Sequence, residues 1–225
     1  MGNKVVSMPL DSLHKINIEG WIMRMRLPPG DDPHPLIVLL HGWTGDEKAM
    51  WIFAPRLPEN AILLAPRGLY PASMGGFEWQ ENHTRGWPRW DDFLPVIDAL
   101  LSIFIPENFA SADLAQVSLV GFSQGAALAY SLVLLHPERV RSLAGLSGFM
   151  PEGAANLILK RPLEGKPVFV AHGKQDVLVP VDRARQAVSL LQQAGAQVSY
   201  CEHDVGHKLN AACFRSMQAF FEQTA

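Results

Sequence analysis

Gly121-Phe122-Ser123-Gln124-Gly125 constrains this chain more than any other stretch. The apolar run Val117-Ser118-Leu119-Val120 precedes it, and the helix-forming run Ala126-Ala127-Leu128-Ala129-Tyr130 follows. A strand must therefore turn sharply into a helix, with a serine at the tip. Glycines at both ends suit a crowded turn, where a Cβ at 121 or 125 would collide with the adjoining strand or helix. The serine can then hold a strained backbone conformation and lift its hydroxyl above the sheet edge. The five letters alone are weak evidence, and an idle serine on a tight turn is the bland reading. The strand before and the helix after argue for a nucleophile.

A serine hydroxyl is a poor nucleophile at neutral pH and needs a base. On turns of this kind an acid and then a histidine follow the serine along the chain. Residues 167–171 read as a buried strand, and His172-Gly173-Lys174-Gln175-Asp176 follows, which puts Asp176 in the loop at that strand's carboxyl end. Residues 183–193 read as a helix ended by Gly195, and residues 197–201 as a further strand whose loop carries Gly206-His207. Ser123, Asp176 and His207 thus fall on one edge of one sheet, where open α/β sheets bind ligands. Each has a rival: Asp176 as a turn-former, Asp182 as the acid, His203 as the base. Asp182 reads as starting a helix after Pro180 and facing away. A zinc site at His203 and His207 is discounted, because Gly206 lies between them and no third ligand is close in sequence. His41 and His172 read as structural residues at strand ends.

Acyl transfer also needs N–H donors for a developing oxyanion. Gln124, next to the nucleophile, supplies one. Residues 36–40 read as a central strand, apolar throughout because it is buried on both faces. The loop after it, His41-Gly42-Trp43-Thr44-Gly45, offers Trp43 as the second donor, with Thr44 behind it.

The remaining pattern alternates strand and helix, which predicts an α/β chain with a mostly parallel central sheet and helices on both faces. With 225 residues, 48% of them hydrophobic, one domain over 1–225 can bury a sizeable core. Edge strands are expected at 4–8 and 16–27, a proline-rich turn at 28–35 and helices at 47–57, 87–105 and 207–221. Further strands are expected at 61–65 and 142–146, and a loop or short turn at 111–114. Residues 67–88 fit neither period and follow a strand's carboxyl end. A loop that long is functional more often than idle. We expect Tyr70 and Trp79 from it to line an apolar substrate pocket with Phe149 and Trp43. The bland reading is a surface loop whose aromatics pack on the core.

Net charge is −3 with scattered basic residues, which leaves no electrostatic footprint for nucleic acid. No apolar run reaches membrane-spanning length, and Met1-Gly2-Asn3-Lys4-Val5-Val6 lacks the apolar core of a signal peptide. The two cysteines make no disulfide framework: Cys201 reads as a buried strand residue and Cys213 as part of the last helix. That reading implies a reducing compartment, the cytoplasm.

Leu40-His41-Gly42, Gly121 to Ala126, Leu146-Ser147-Gly148-Phe149-Met150-Pro151, and His172-Gly173 through Asp176 to Gly206-His207 together resemble the phospholipase/carboxylesterase family of α/β-hydrolases. That family includes acyl-protein thioesterases and small bacterial carboxylesterases, and the likeness covers the chain from about residue 35 onward. It implies the α/β-hydrolase fold, catalytic roles at Ser123, Asp176 and His207, and an oxyanion hole at Trp43 and Gln124. It also implies ester or thioester cleavage with no cofactor and no metal. Trp-Thr-Gly-Asp follows His41-Gly42 where the family usually has Leu-Gly, and Trp79-Gln80 stands nearest to the family's Trp-Phe-Asp. Both departures fall beside the expected pocket. The substrate is expected to be a small-molecule or lipid-like ester. A long-chain preference of the acyl-protein thioesterase or lysophospholipase kind, a non-catalytic binding module on the same fold, and assembly as a homodimer all stay open.

Overall fold

His34–Leu40 forms the third strand, β3, and its side chains alternate between two cores, with Leu36, Val38 and Leu40 in one and Ile37 and Leu39 in the other. Period-two alternation with both faces apolar marks a strand covered on both sides. The computed structural model describes residues 14–30, 33–81 and 86–224. The other strands are β1 (His14–Ile18), β2 (Trp21–Arg26), β4 (Ile62–Pro66), β5 (Tyr70–Pro71), β6 (Phe77–Glu78), β7 (Ala112–Phe122), β8 (Val140–Leu146), β9 (Pro167–Gly173) and β10 (Gln197–His203). The helices are α1 (Leu94–Ser102), α2 (Gln124–Leu135), α3 (Val181–Gln193) and α4 (Ala211–Thr224).

Eight strands form one sheet in the order β1-β2-β4-β3-β7-β8-β9-β10. β1 with β2 and β2 with β4 run antiparallel, and the remaining neighbours are parallel. The core on one face draws on α1, α2 and α3, and the core on the other on α4 and the 3-10 stretch Ala49–Arg56. Residues 124–134 of α2 are all buried. A helix apolar all round belongs in an interior, and this one carries the serine turn at its N-terminus.

Several elements differ from the sequence reading. The edge strand expected at 16–27 is a hairpin of β1 and β2, turned by Glu19 and Gly20 with φ of 50° and 87°. Positive φ at both central residues is the twist-compatible hairpin turn. The strand expected at 4–8 lies outside the described residues. The helix expected at 47–57 is the 3-10 stretch Ala49–Arg56, with Pro55 inside it. The helix expected at 87–105 reduces to a 3-10 turn, Trp90–Phe93, followed by α1. Residues 112–114, read as loop, open the eleven-residue β7. The closing helix begins at Ala211 and leaves His207 on the loop. Asn210 caps it, its side-chain oxygen accepting the Cys213 N–H at 2.9 Å.

The cysteine reading is overturned. Cys201 on β10 and Cys213 on α4 are joined as a disulfide with Cα atoms 5.7 Å apart. The argument for a reducing compartment rested on unpaired thiols and loses that ground. Among the described residues, no helix is long and apolar enough to cross a membrane.

Candidate active site

The serine turn is built by exclusion. A Cβ on Gly121 would strike the carbonyl oxygen of Gly125, and one on Gly125 would strike that of Leu40 on β3. Both glycines are therefore required for α2 to start so close to the sheet. Ser123 sits between them at φ 53° and ψ −115°, a conformation costly for a residue with a side chain. It is held there from both sides. Its N–H donates to Leu146 O at 2.9 Å, and its carbonyl accepts from Ala126 N–H at 3.0 Å.

Asp176 lies in the loop after β9 and is 5% exposed. Its Oδ1 accepts the Leu178 and Val179 N–H groups, each at 2.9 Å, and its Oδ2 accepts His207 Nδ1–H at 2.6 Å. Two backbone donors and one imidazole fix the carboxylate, and the bond to Nδ1 leaves Nε2 of His207 as the free basic nitrogen. Beside it, His172 donates Nε2–H to Val179 O at 2.8 Å, with that nitrogen 3.3 Å from Asp176 Oδ2. Burial lowers the His172 pKa, which keeps this second imidazole neutral. Asp182 opens α3, where its carboxylate pairs with Arg185 at 3.0 Å. His203 ends β10, its ring nitrogen within 4.8 Å of the bridged sulfurs of Cys201 and Cys213.

Gly173 brings the two loops together. A Cβ there would strike the carbonyl oxygens of Val205 and Gly206. With none, Lys174 N–H reaches His203 O at 2.8 Å and Gln175 N–H reaches Val205 O at 3.0 Å. The ring of Phe122 meets His207 edge-on at 4.9 Å.

The loop after β3 is braced from beneath. His41 donates Nδ1–H to Gly42 O at 2.7 Å and accepts Gly68 N–H on Nε2 at 2.8 Å. Burial pushes its pKa down to about 4, so the ring is neutral and carries its proton on Nδ1. Trp79 donates its indole N–H to His41 O at 2.6 Å, and its backbone N–H to Gln124 Oε1 at 3.2 Å. One buried tryptophan thus ties the loop carrying Trp43 to the first residue of α2. Phe77 N–H donates to Gly45 O at 2.9 Å, so the β5–β6 hairpin also supports this loop. Glu47 grips Arg67 at 2.7 and 3.0 Å, and the Arg67 guanidinium lies over the Phe77 ring at 4.5 Å.

A cavity of about 630 Å³ opens over the turn. Ser123, Gln124, His207 and Trp43 line it together with Phe149 and Leu178. From the segment 67–88, Met74, Gly86, Trp87 and Pro88 reach its wall. Tyr70 and Trp79 are not among the residues that line this cavity. Trp79 is 0% exposed and spends its polar atoms on the loop and the helix start, while Tyr70 is taken up in the short β5–β6 ladder. Sequence reasoning also passed over Gly173, Glu47 and Arg67. Only the Gly173 role has a local signal, a glycine directly at a strand's carboxyl end.

A model of the phospholipase/carboxylesterase family matches residues 27–225. An acyl-protein thioesterase 1 from Debaryomyces hansenii is 30% identical over 71% of this chain and 77% of its own. A protein of Oryza sativa subsp. japonica named a probable inactive carboxylesterase is 28% identical over 77% of this chain and 78% of its own. Among solved structures, the Bacillus cereus carboxylesterase superposes with a TM-score of 0.77 at 21% identity, covering 91% of this chain and 95% of that one. The fold is that of the α/β-hydrolases.

Proposed function

Because the chain belongs to the phospholipase/carboxylesterase family, we propose that it is a serine hydrolase that cleaves carboxylic esters or thioesters through an acyl-enzyme on Ser123. The observation that carries the reading is the 2.6 Å bond between Asp176 and His207 beside the cavity that the strained Ser123 also lines.

His207 Nε2 takes the Ser123 proton as the oxygen attacks the acyl carbonyl. Asp176 holds the ring with its proton on Nδ1 and stabilises the imidazolium that forms. The Trp43 and Gln124 N–H groups receive the oxyanion. Gln124 is the first residue of α2, where a backbone N–H has no partner within the helix. When the intermediate collapses, the bond to the departing oxygen or sulfur breaks, and that atom takes the proton from His207. Water then repeats the sequence and releases the acid. The chemistry uses these side chains and backbone dipoles, with no cofactor or metal assigned a step.

The test is direct. Ser123→Ala should lose p-nitrophenyl butyrate hydrolysis by about 10⁴-fold or more while keeping the wild-type melting profile. A fluorophosphonate should add its mass to Ser123. Labelling at another residue removes Ser123 as the nucleophile, and an unlabelled and inactive wild-type chain removes the proposal and favours a binding module on this fold, in line with the relative named inactive.

A cytoplasmic location now has to accommodate the bridge between Cys201 and Cys213. Alkylation of intact cells before lysis reads it out: two blocked thiols mean a reducing compartment, and a protected pair means an oxidising one.

A further inference from the structure

Cys201, His203 and Cys213 form a cluster that the hydrolysis does not use. Cys201 and His203 are two apart on β10, so the pleat sends both side chains to one face of the sheet. That is the face α4 covers, and Cys213 lies in the first turn of the helix. The two sulfurs and a ring nitrogen of His203 all lie within 4.8 Å of one another. Their backbones are pinned. The His203 carbonyl accepts Lys174 N–H and Val205 N–H, each at 2.8 Å, and Asn210 Oδ1 accepts Cys213 N–H at 2.9 Å. The pairing weighed from the sequence, His203 with His207, is not the one the fold builds. His207 turns to Asp176, and His203 meets the two sulfurs.

Two sulfurs and an imidazole are zinc donors. In a tetrahedral site, with Zn–S about 2.3 Å and Zn–N about 2.0 Å, donor atoms stand about 3.6–3.8 Å apart. The His203 nitrogen is already within reach of that spacing. Cysteine Cα atoms 5.7 Å apart let the sulfurs separate to it by side-chain rotation once their bond is broken. Among the described residues no fourth histidine, cysteine or carboxylate joins the group, which leaves the fourth position to water. We propose that the reduced chain binds one Zn²⁺ through Cys201, His203 and Cys213, and that this ion replaces the bridge as the clamp on residues 201–213. Reduction comes first: a dithiol reductant cleaves the sulfur–sulfur bond by exchange, becomes a disulfide itself and leaves two thiols. Zn²⁺ then binds both sulfurs as thiolates and His203 as the neutral ring, and two protons pass to solvent. His207 lies inside the clamped segment, so its loop is tied to α4 in the bridged and in the metal-bound chain, and in the reduced metal-free chain by neither. The ion takes no step in the hydrolysis, and the site stands whether or not Ser123 is the nucleophile.

The test compares the full chain in two metal-stripped forms, oxidised and phosphine-reduced, each titrated with Zn²⁺ against a chromophoric chelator. The reduced form should take up one equivalent, and the oxidised form should not compete with the chelator. The chain has two cysteines in all, so the charge-transfer absorption of the Cd²⁺ form should count two thiolates. Zn²⁺ at about a hundred times its Kd should raise the melting temperature of the reduced form by several degrees and leave the oxidised form unchanged. If reduction alone unfolds the chain, Zn²⁺ should restore its dichroism. Cys201→Ser with Cys213→Ser should abolish uptake. His203 is half-buried, so His203→Gln should fold, and it should weaken uptake at least about tenfold, no less than the loss of an outer-shell partner costs. No uptake by the reduced form, equal uptake by the oxidised form, or full affinity in His203→Gln overturns the proposal.

Discussion

The indole N–H of Trp79 donates to the carbonyl of His41 across 2.6 Å, from a side chain that is 0% exposed. The same residue's backbone N–H reaches Gln124 Oε1. Trp79 therefore positions both backbone segments assigned to the oxyanion without touching the cavity. Trp79→Phe keeps most of the volume and leaves the buried His41 carbonyl without its indole donor, a loss of about 1–3 kcal/mol. The expected outcome is a fall in kcat of about ten- to a hundredfold, since small misplacements of catalytic groups are that costly, with KM little changed. Steady-state kinetics alongside a melting curve check it. A variant that melts earlier yet turns over at the wild-type rate would make Trp79 a packing residue and nothing more.

Gly173→Ala tests how the acid and base loops are held together. Its Cβ would meet the carbonyls of Val205 and Gly206, both backbone, so the histidine loop itself must shift. The bonds from Lys174 and Gln175 to that loop should weaken, and the Asp176–His207 distance should lengthen. We expect kcat/KM to fall at least about tenfold with far-ultraviolet dichroism unchanged, the size expected for a misplaced general base. Activity at the wild-type level would show that the loop tolerates the displacement.

How much of this was legible in the sequence follows from how local each signal is. The strand, glycine-flanked serine and helix at 117–130 are contiguous, so pattern and sterics are read together. Asp176 sits one loop beyond the apolar strand β9 and His207 one loop beyond the more polar edge strand β10, and parallel strands deliver such loops to one edge. Trp79 carried no such signal. Its segment has no period, and its partners His41 and Gln124 are 38 and 45 residues away. The Cys201–Cys213 bond was invisible for a related reason. Two cysteines twelve apart with a loop between them say nothing about how close their Cα atoms come. The β1–β2 hairpin was missed although Glu19-Gly20 sits between alternating residues. The short period-two run was read as one strand instead of two.

The bridge between Cys201 and Cys213 encloses the loop that bears His207. Closing a loop of this length stabilises by about 3 kcal/mol in the chain-entropy account. Dithiothreitol, or the paired change Cys201→Ser with Cys213→Ser, should lower the melting temperature by several degrees. Because His207 lies inside the enclosed loop, activity at elevated temperature should fall before global unfolding. Activity and dichroism followed through the same ramp distinguish the cases. Coincident curves, or no shift on reduction, would remove the bridge from any role at the histidine.

His41 gives the pH dependence a definite sign. Its ordinary pKa of 6.5 is pushed to about 4, chiefly by burial. The folded state thus binds the proton more weakly than the unfolded state does. The associated stability is fully present above about pH 6.5 and is lost as pH falls toward 4, amounting to about 3 kcal/mol for one group. His172, lowered by burial as well, acts in the same direction. Urea titrations at several pH values between 7.5 and 4 should show stability declining through that window. His41→Gln should be less stable at pH 7.5, because the bond from Gly68 N–H is altered, yet should lose less on acidification. A His41→Gln variant with the full wild-type pH slope would mean that the ring at 41 is not a buried neutral imidazole, and the brace beneath the Gly42–Trp43 loop would have to be drawn differently.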